Sequence, residues 1–156
     1  MNNDTTFIGK STKIVLTRQQ MQAFFDRRDD AFSRRDAAAF SIFYAERAVV
    51  ESPTAGGTVQ GLAAIAEITR AWFMGFPDVS LTRRALVIDG EHAVWIGEVR
   101  GTDTGGFLGL EATGKPFQLP IVMVCRVEDG AIVHEQRIYD FSGMLMQIGV
   151  LKAKPI

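Results

Sequence analysis

Ile121-Val122-Met123-Val124-Cys125-Arg126-Val127-Glu128-Asp129-Gly130-Ala131-Ile132-Val133-His134-Glu135-Gln136-Arg137-Ile138-Tyr139-Asp140 decides the fold of this chain. Asp129-Gly130 is a hairpin signal between two strand-like runs. The first run, Lys115 to Glu128, is interrupted early by Pro116 and Pro120. The second runs to Asp140, and a short helix follows from near Ser142. Ile121 to Cys125 is apolar at every position. An antiparallel strand with one wet face alternates instead, so both faces of this one are expected to be covered. Helices account for one face; a second copy of the chain on the outer sheet face, forming a homodimer, accounts for the other.

Successive side chains of a strand point to opposite faces, so unbroken alternation puts Ile132, His134, Gln136, Ile138 and Asp140 together. A carboxylate closing such a row needs a partner or a task, because burying it unpaired is costly. The expectation is a pocket in which Asp140 does acid–base work. The competing expectation is that Asp140 caps the helix near Ser142. Gln136 would orient a substrate or donate to a developing oxyanion. His134, nearer the rim, titrates near neutrality by nature.

Upstream, the chain is helical first and strand-like later. Thr17-Arg18-Gln19-Gln20 is a capping box that opens a helix. Met21, Phe24, Phe25 and Phe32 form its buried stripe, and Asp26 to Asp30, Arg28 included, its solvated face. Asp36 caps a second short helix carrying Ala39, Phe40, Phe43 and Tyr44. Ala48 to Glu51 is a short strand stopped by Pro53, and Thr54 to Gln60 is loop. A third helix runs from Gly61 to about Phe76, with Leu62, Ile65, Ile68, Trp72, Phe73 and Phe76 in helical phase. Val79 to Ile88 and Ala93 to Thr102 pair across Asp89-Gly90. Asp103 to Gly114 is a glycine-rich loop. Helices followed by hairpin-joined strands predict an α+β fold with the helices on one face of the sheet. Residues 1–16 read as an arm and 17–156 as a single domain.

Further candidates lie on these elements. Glu51 ends the first strand and faces either the pocket mouth or solvent. Glu98 shares a strand face with Val94, Ile96 and Arg100, and either lines the interior or pairs outside. Tyr44, Trp72 and Phe76 offer apolar walls to a ring-shaped ligand, or simply core.

Composition excludes several classes. A net charge of −1 argues against a nucleic-acid surface and against attachment to anionic lipid. No run approaches a membrane span, and a cytoplasmic protein is the default. The one cysteine, Cys125, is expected to be a small buried hydrophobe. The two histidines, His92 and His134, fall on different strands, so no metal site is expected. The glycines of 101–109 precede a strand rather than a helix and make no phosphate loop.

The chain resembles the SnoaL-like polyketide cyclases of the nuclear-transport-factor-2-like superfamily. The resemblance rests on Val59-Gln60-Gly61-Leu62-Ala63-Ala64-Ile65, on Phe76-Pro77-Asp78, on Gly101 to Lys115, and on Asp129 to Gly149. It implies a cone-shaped α+β barrel: about three N-terminal helices on a strongly curved antiparallel sheet, with a deep apolar pocket. It implies cofactor-free acid–base catalysis, an aldol-type ring closure or isomerisation of a small hydrophobic carbonyl compound, with Asp140 matching the catalytic aspartate. The family commonly has a histidine where this chain has Asp103. It commonly has an acidic residue and a tryptophan where this chain has His134 and Gln136. Other uses of the fold are a non-catalytic small-ligand binder and water activation on an epoxide.

Overall fold

The computed structural model of the chain describes residues 12–152 and Lys154. Most of the expected arm, residues 1–11, lies outside the described residues. Helix α1 (Arg18–Ser33) begins at the predicted capping box. Thr17 Oγ1 accepts the Gln20 N–H at 3.2 Å, and the Gln20 side chain accepts the Thr17 N–H at 2.9 Å. Helix α2 (Ala37–Ser41) is capped by Asp36, which accepts the Ala39 N–H at 2.9 Å. It is shorter than its apolar spacing suggested, because Tyr44 already opens strand β1 (Tyr44–Ser52). A short 3-10 turn, Pro53–Ala55, leads into β2 (Gly57–Gln60), which occupies what reads in sequence as loop. Four residues beside two glycines carry little strand signal, and pairing with β1 is what holds them.

Helix α3 (Leu62–Gly75) precedes the long strands β3 (Ser80–Asp89), β4 (His92–Thr102), β5 (Pro116–Glu128) and β6 (Ala131–Tyr139), and α4 (Phe141–Gln147) closes the fold. The six strands form one curved, unclosed sheet in the order β2-β1-β6-β5-β4-β3. All neighbours are antiparallel except β1 and β6, which run parallel. Pro120 is tolerated inside β5 because it precedes the stretch that pairs with β6, which begins at Ile121.

The core lies between the concave inner face and the helices. Phe25, Phe40, Ile65, Trp95, Met123, Ile132 and Met144 are essentially inaccessible there. Phe76 centres an aromatic cluster, with Trp72, Phe107 and Phe117 rings at 5.4, 4.7 and 4.8 Å. Each such pair adds about 0.5–1.5 kcal/mol beyond the area it buries. Gly97 makes the flat lie of Trp95 possible, since a Cβ there would run into the Trp95 ring and the Thr82 carbonyl.

One irregularity decides which side chains face inward. Inner positions of β5 pair in register with Tyr139, Arg137 and Glu135, through Ile121, Met123 and Cys125. The register then slips, with Arg126 opposite His134 and Val127 opposite Ile132. Val133 is the extra residue of a β-bulge. The bulge restores Ile132 to the inner face while turning His134, Gln136 and Ile138 outward.

Residues 12–16 lie against the ends of two hairpins. Lys13 Nζ pairs with Glu91 at 2.9 Å, and the Ile14 N–H donates to Asp129 Oδ1 at 2.8 Å.

Gly97→Ala is expected to lower stability by about 1–3 kcal/mol, the usual cost of forcing atoms into a filled core. Urea denaturation monitored by tryptophan fluorescence checks this, and an unchanged midpoint would mean that β3 and β4 have room to separate.

Candidate functional site

Arg28 is the residue around which the interior is arranged. Its side chain is wholly buried. It sits three residues after Phe25 and four before Phe32, so helical geometry places it in the middle of the apolar stripe of α1. The expected solvated face from Asp26 to Asp30 is therefore corrected at this position. Opposite α1, β6 presents Glu135 and Arg137 from its inner face. Arg28 Nη2 donates to Glu135 Oε2 at 2.6 Å and to Tyr44 Oη at 2.8 Å, and Arg137 Nε donates to Glu135 Oε1 at 2.5 Å. Tyr44 donates its own proton to Glu135 Oε2 at 2.8 Å. Cys125 Sγ adds a longer contact to the same oxygen at 3.6 Å. One carboxylate thus bridges two guanidiniums. Rings of Phe40, Tyr44 and Phe25 surround the Arg28 guanidinium at 4.7, 5.7 and 5.8 Å.

The cluster sets its own charge states. Burial pushes the Glu135 carboxyl up, but the two guanidiniums outweigh it and hold the group down at about 2. Burial would discharge Arg28 and Arg137; Glu135 and its neighbours hold both above the ordinary arginine range. Burial pushes the Tyr44 phenol and the Cys125 thiol up, so both stay protonated. Behind the cluster, Trp95 Nε1–H donates to Asp29 Oδ2 at 3.0 Å, and burial pushes the Asp29 carboxyl up.

A cavity of about 40 Å³ lies beside this cluster. Phe32, Phe40, Trp72, Leu81, Val99, Ile121 and Met123 form its apolar wall; Arg28, Arg137, Thr69 and Tyr139 are its polar members. It is smaller than the ~150 Å³ that admits a benzene-sized molecule, so the deep pocket expected from resemblance is here a narrow cavity. Leu81, Arg137 and Tyr139 are half-buried, so its wall reaches solvent at those side chains. Tyr139 donates to Thr54 Oγ1 at 2.9 Å and lies 3.2 Å from Ser52 Oγ.

Of the candidates drawn from sequence, Trp72 lines the cavity. Tyr44 belongs to the polar cluster, and Phe76 is core. The rest lie elsewhere. Asp140 is exposed at the N-cap of α4, where it accepts the Gly143 N–H at 2.7 Å. Gln136 is exposed on the outer face. His134 is paired with Glu51 at 2.7 Å on that same face. Glu98 pairs outside with Arg84 at 2.9 Å. For His134 and Gln136 the physical reason is the bulge at Val133, which alternation alone does not reveal. Asp140 lies past the end of β6, and Glu98 alternates with the buried Trp95, Gly97 and Val99 of β4 and so faces outward. Asp103 is buried in the glycine-rich loop, where it accepts from the Thr113 N–H and hydroxyl at 3.0 Å and braces the loop. The residues missed in sequence are Arg28, Glu135, Arg137 and Tyr139. A cation in phase with an apolar helical stripe was the available signal for the first. Among the described residues, no group of three or more His, Cys, Asp or Glu is placed to hold a metal ion, and no helix is long and apolar enough to cross a membrane.

Three helices and a short terminal one packed on a curved open sheet, with a cavity between the layers, define the ketosteroid isomerase-like, nuclear-transport-factor-2-like class of α+β protein. Solved structures agree. A protein from Catenulispora acidiphila described as having a ketosteroid isomerase-like fold is 19% identical, with a TM-score of 0.70 over 81% of this chain and 92% of that one. TsrD from Streptomyces laurentii is 24% identical, with a TM-score of 0.77 over 87% and 99%. IdmH from Streptomyces antibioticus is 26% identical, with a TM-score of 0.71 over 83% and 99%. No curated protein matches. The SnoaL-like polyketide cyclase family matches residues 19–148, and the chain belongs to that family.

Glu135→Gln is expected to cost about 3–5 kcal/mol at neutral pH, because it removes the charge compensating two buried guanidiniums. The sign with pH follows. The folded-state value, about 2, lies below the ordinary 4.5, so the Glu135 contribution is complete above the ordinary value and lost as pH falls toward 2. Denaturation of both proteins across that range should show the difference shrinking with acid. A gap under ~1 kcal/mol at neutral pH, the size of a surface pair, would contradict the burial.

Proposed function

We propose that the chain is a cofactor-free, cyclase-like enzyme that binds a small hydrophobic carbonyl compound in the inner cavity and performs an aldol-type ring closure or isomerisation. The observation that carries it is the composition of the cavity wall: aromatic and aliphatic side chains interrupted by two guanidiniums tied to one carboxylate. Both reactions pass through an enolate. Donors held where the negative oxygen develops lower that barrier, and removing one such donor costs roughly 10²–10³ in rate. Arg28 and Arg137 are those donors in this proposal. Glu135 keeps them apart and aimed, and the carbon acidified by the guanidiniums passes its proton to water at the solvent-reaching edge of the cavity beside Arg137 and Tyr139. Ring-sized substrates widen the cavity at the half-buried Leu81 and Tyr139.

A non-catalytic ligand binder is the second reading. It is favoured by two facts: a carboxylate held at about 2 is a weak base, and no carboxylate lines the cavity among the described residues.

The same proposal includes a homodimer through the outer sheet face. Val87, Ile96 and Ile138 are exposed there beside half-buried Val94, Val122 and Val124. Ile138→Asp is expected to give a monomer by light scattering; a wild-type chain that is already monomeric at high concentration would refute the interface.

For catalysis, the test is turnover of aromatic β-dicarbonyl precursors by two variants. Arg137→Met, which leaves Glu135 bonded to Arg28 and Tyr44, is expected to lose roughly 10²–10³ in kcat. Asp140→Asn, which alters a helix cap, is expected to stay within a few-fold of wild type. The reverse order would return the acid–base role to Asp140. Binding without turnover in the wild type would favour the second reading.

A further inference from the structure

The geometry points to the chemical form of the ligand: it enters as an oxyanion on an apolar frame, the phenolate or enolate of a conjugated acidic hydroxyl, seated against Arg28 and Arg137. This rests on the proposal that the inner cavity is the ligand site, and it goes further by naming the ionisation state that the site selects.

Arg28 carries five N–H donors in a rigid fork. Nη2 serves Tyr44, Glu135 and the Met123 sulfur. Nε and Nη1 are buried and have no hydrogen-bond partner among the described residues. Nη1 lies 3.7 Å from Asp29 Oδ1, an ion-pair distance without a hydrogen bond. Leaving buried charged donors unmade is expensive, and these belong to a side chain that lines the cavity.

The charges around the cavity favour an anion over a neutral acceptor. Arg28 and Arg137 line it; Glu135, Asp29 and every other carboxylate among the described residues do not. Glu135 is shared by the two lining guanidiniums. Asp29 is shared with Arg83 at 3.2 Å as well as Arg28, and Arg83 also pairs with Asp26. A guanidinium only donates, so the group it takes must accept, and charge-assisted bonds are roughly twice as strong as neutral ones. Apolar walls keep water from screening the attraction. Phe32, Phe40 and Trp72 suit a planar conjugated frame. The cavity of about 40 Å³ takes the oxygen end, and the frame extends past Leu81 and Tyr139 toward solvent. The selectivity follows directly: a carbonyl compound that cannot ionise would lose to one that can.

The probe is para-nitrophenol, which changes colour on ionising, with nitrobenzene as the uncharged ligand of the same frame. Saturating wild-type protein is expected to lower the midpoint of phenol ionisation by at least about one unit, a tenfold preference for the phenolate. Nitrobenzene is expected to bind more weakly. With nitrogen-15 arginine, the Arg28 Nε–H resonance is expected to move with the phenolate and stay put with nitrobenzene. Arg137→Met is expected to shrink the midpoint shift.

An unchanged or raised midpoint with nitrobenzene still bound would overturn the proposal and leave the cavity as the ligand site. Failure of both probes to bind would remove the site itself, and the oxyanion with it. A shift that survives Arg137→Met in full, with a silent Arg28 resonance, would place the anion elsewhere and also overturn it. The wild-type titration and the Arg28 signal decide the matter even if the variant does not fold.

Discussion

A single buried carboxylate holds the two layers of this protein in register. Glu135 reaches from the inner face of β6 to Arg28 on α1, and its second oxygen takes Arg137 from its own strand. Desolvating charged groups costs several kcal/mol each, and only close geometry with further hydrogen bonds offsets it. Tyr44 supplies such a bond from β1, the parallel neighbour of β6. Three elements therefore converge on one carboxylate, and the orientation of α1 over the sheet is coupled to the shape of the cavity. An apolar cluster of equal volume could hold the layers as firmly, but it would not set a direction. The ion pairs do, because charge-assisted hydrogen bonds are directional and Glu135 meets Arg28 and Arg137 through different oxygens.

The secondary structure was readable because its signals are local. The capping box at Thr17 and Gln20, the Asp36 cap, the helical phase of Leu62 to Phe76 and the two Asp-Gly turns each fall within a few residues. The doubly apolar run from Ile121 to Cys125 correctly marked a strand with one face in the core. The family motifs added the curvature of the sheet; the deep pocket they implied is a narrow cavity. Two features were not local. β2 exists because β1 is beside it. The inner face of β6 depends on one supernumerary residue, and a hydrophobicity pattern through Ile132, Val133 and Ile138 fits either phase.

The candidate site was legible only in part for the same reason. Trp72 follows from helical phase, whereas Tyr44, expected on the second helix, opens β1 instead; both take part in the interior. Arg28 was masked by its neighbours: a run of five charged residues from Asp26 to Asp30 looks like a wet surface, although one of them falls on the buried stripe. Charge is a poor guide to exposure when a partner waits across the core. That partner, Glu135, sits 107 residues further along the chain, beyond the reach of any pattern within one element.

The bulge at Val133 bears on how this chain is compared with its relatives. Residues before it and after it obey opposite parity, so a strand lacking the extra residue cannot be superposed on both halves at once. Aligning β6 without a gap to such a strand would match exterior positions with interior ones from His134 onward. Apparent replacement of a lining histidine, tryptophan or acid would then be a shift of frame and not an exchange of side chains. In lineages with this fold, inserting or deleting one residue at that spot would change the whole lining of the interior in a single event, which point substitutions reach only one side chain at a time.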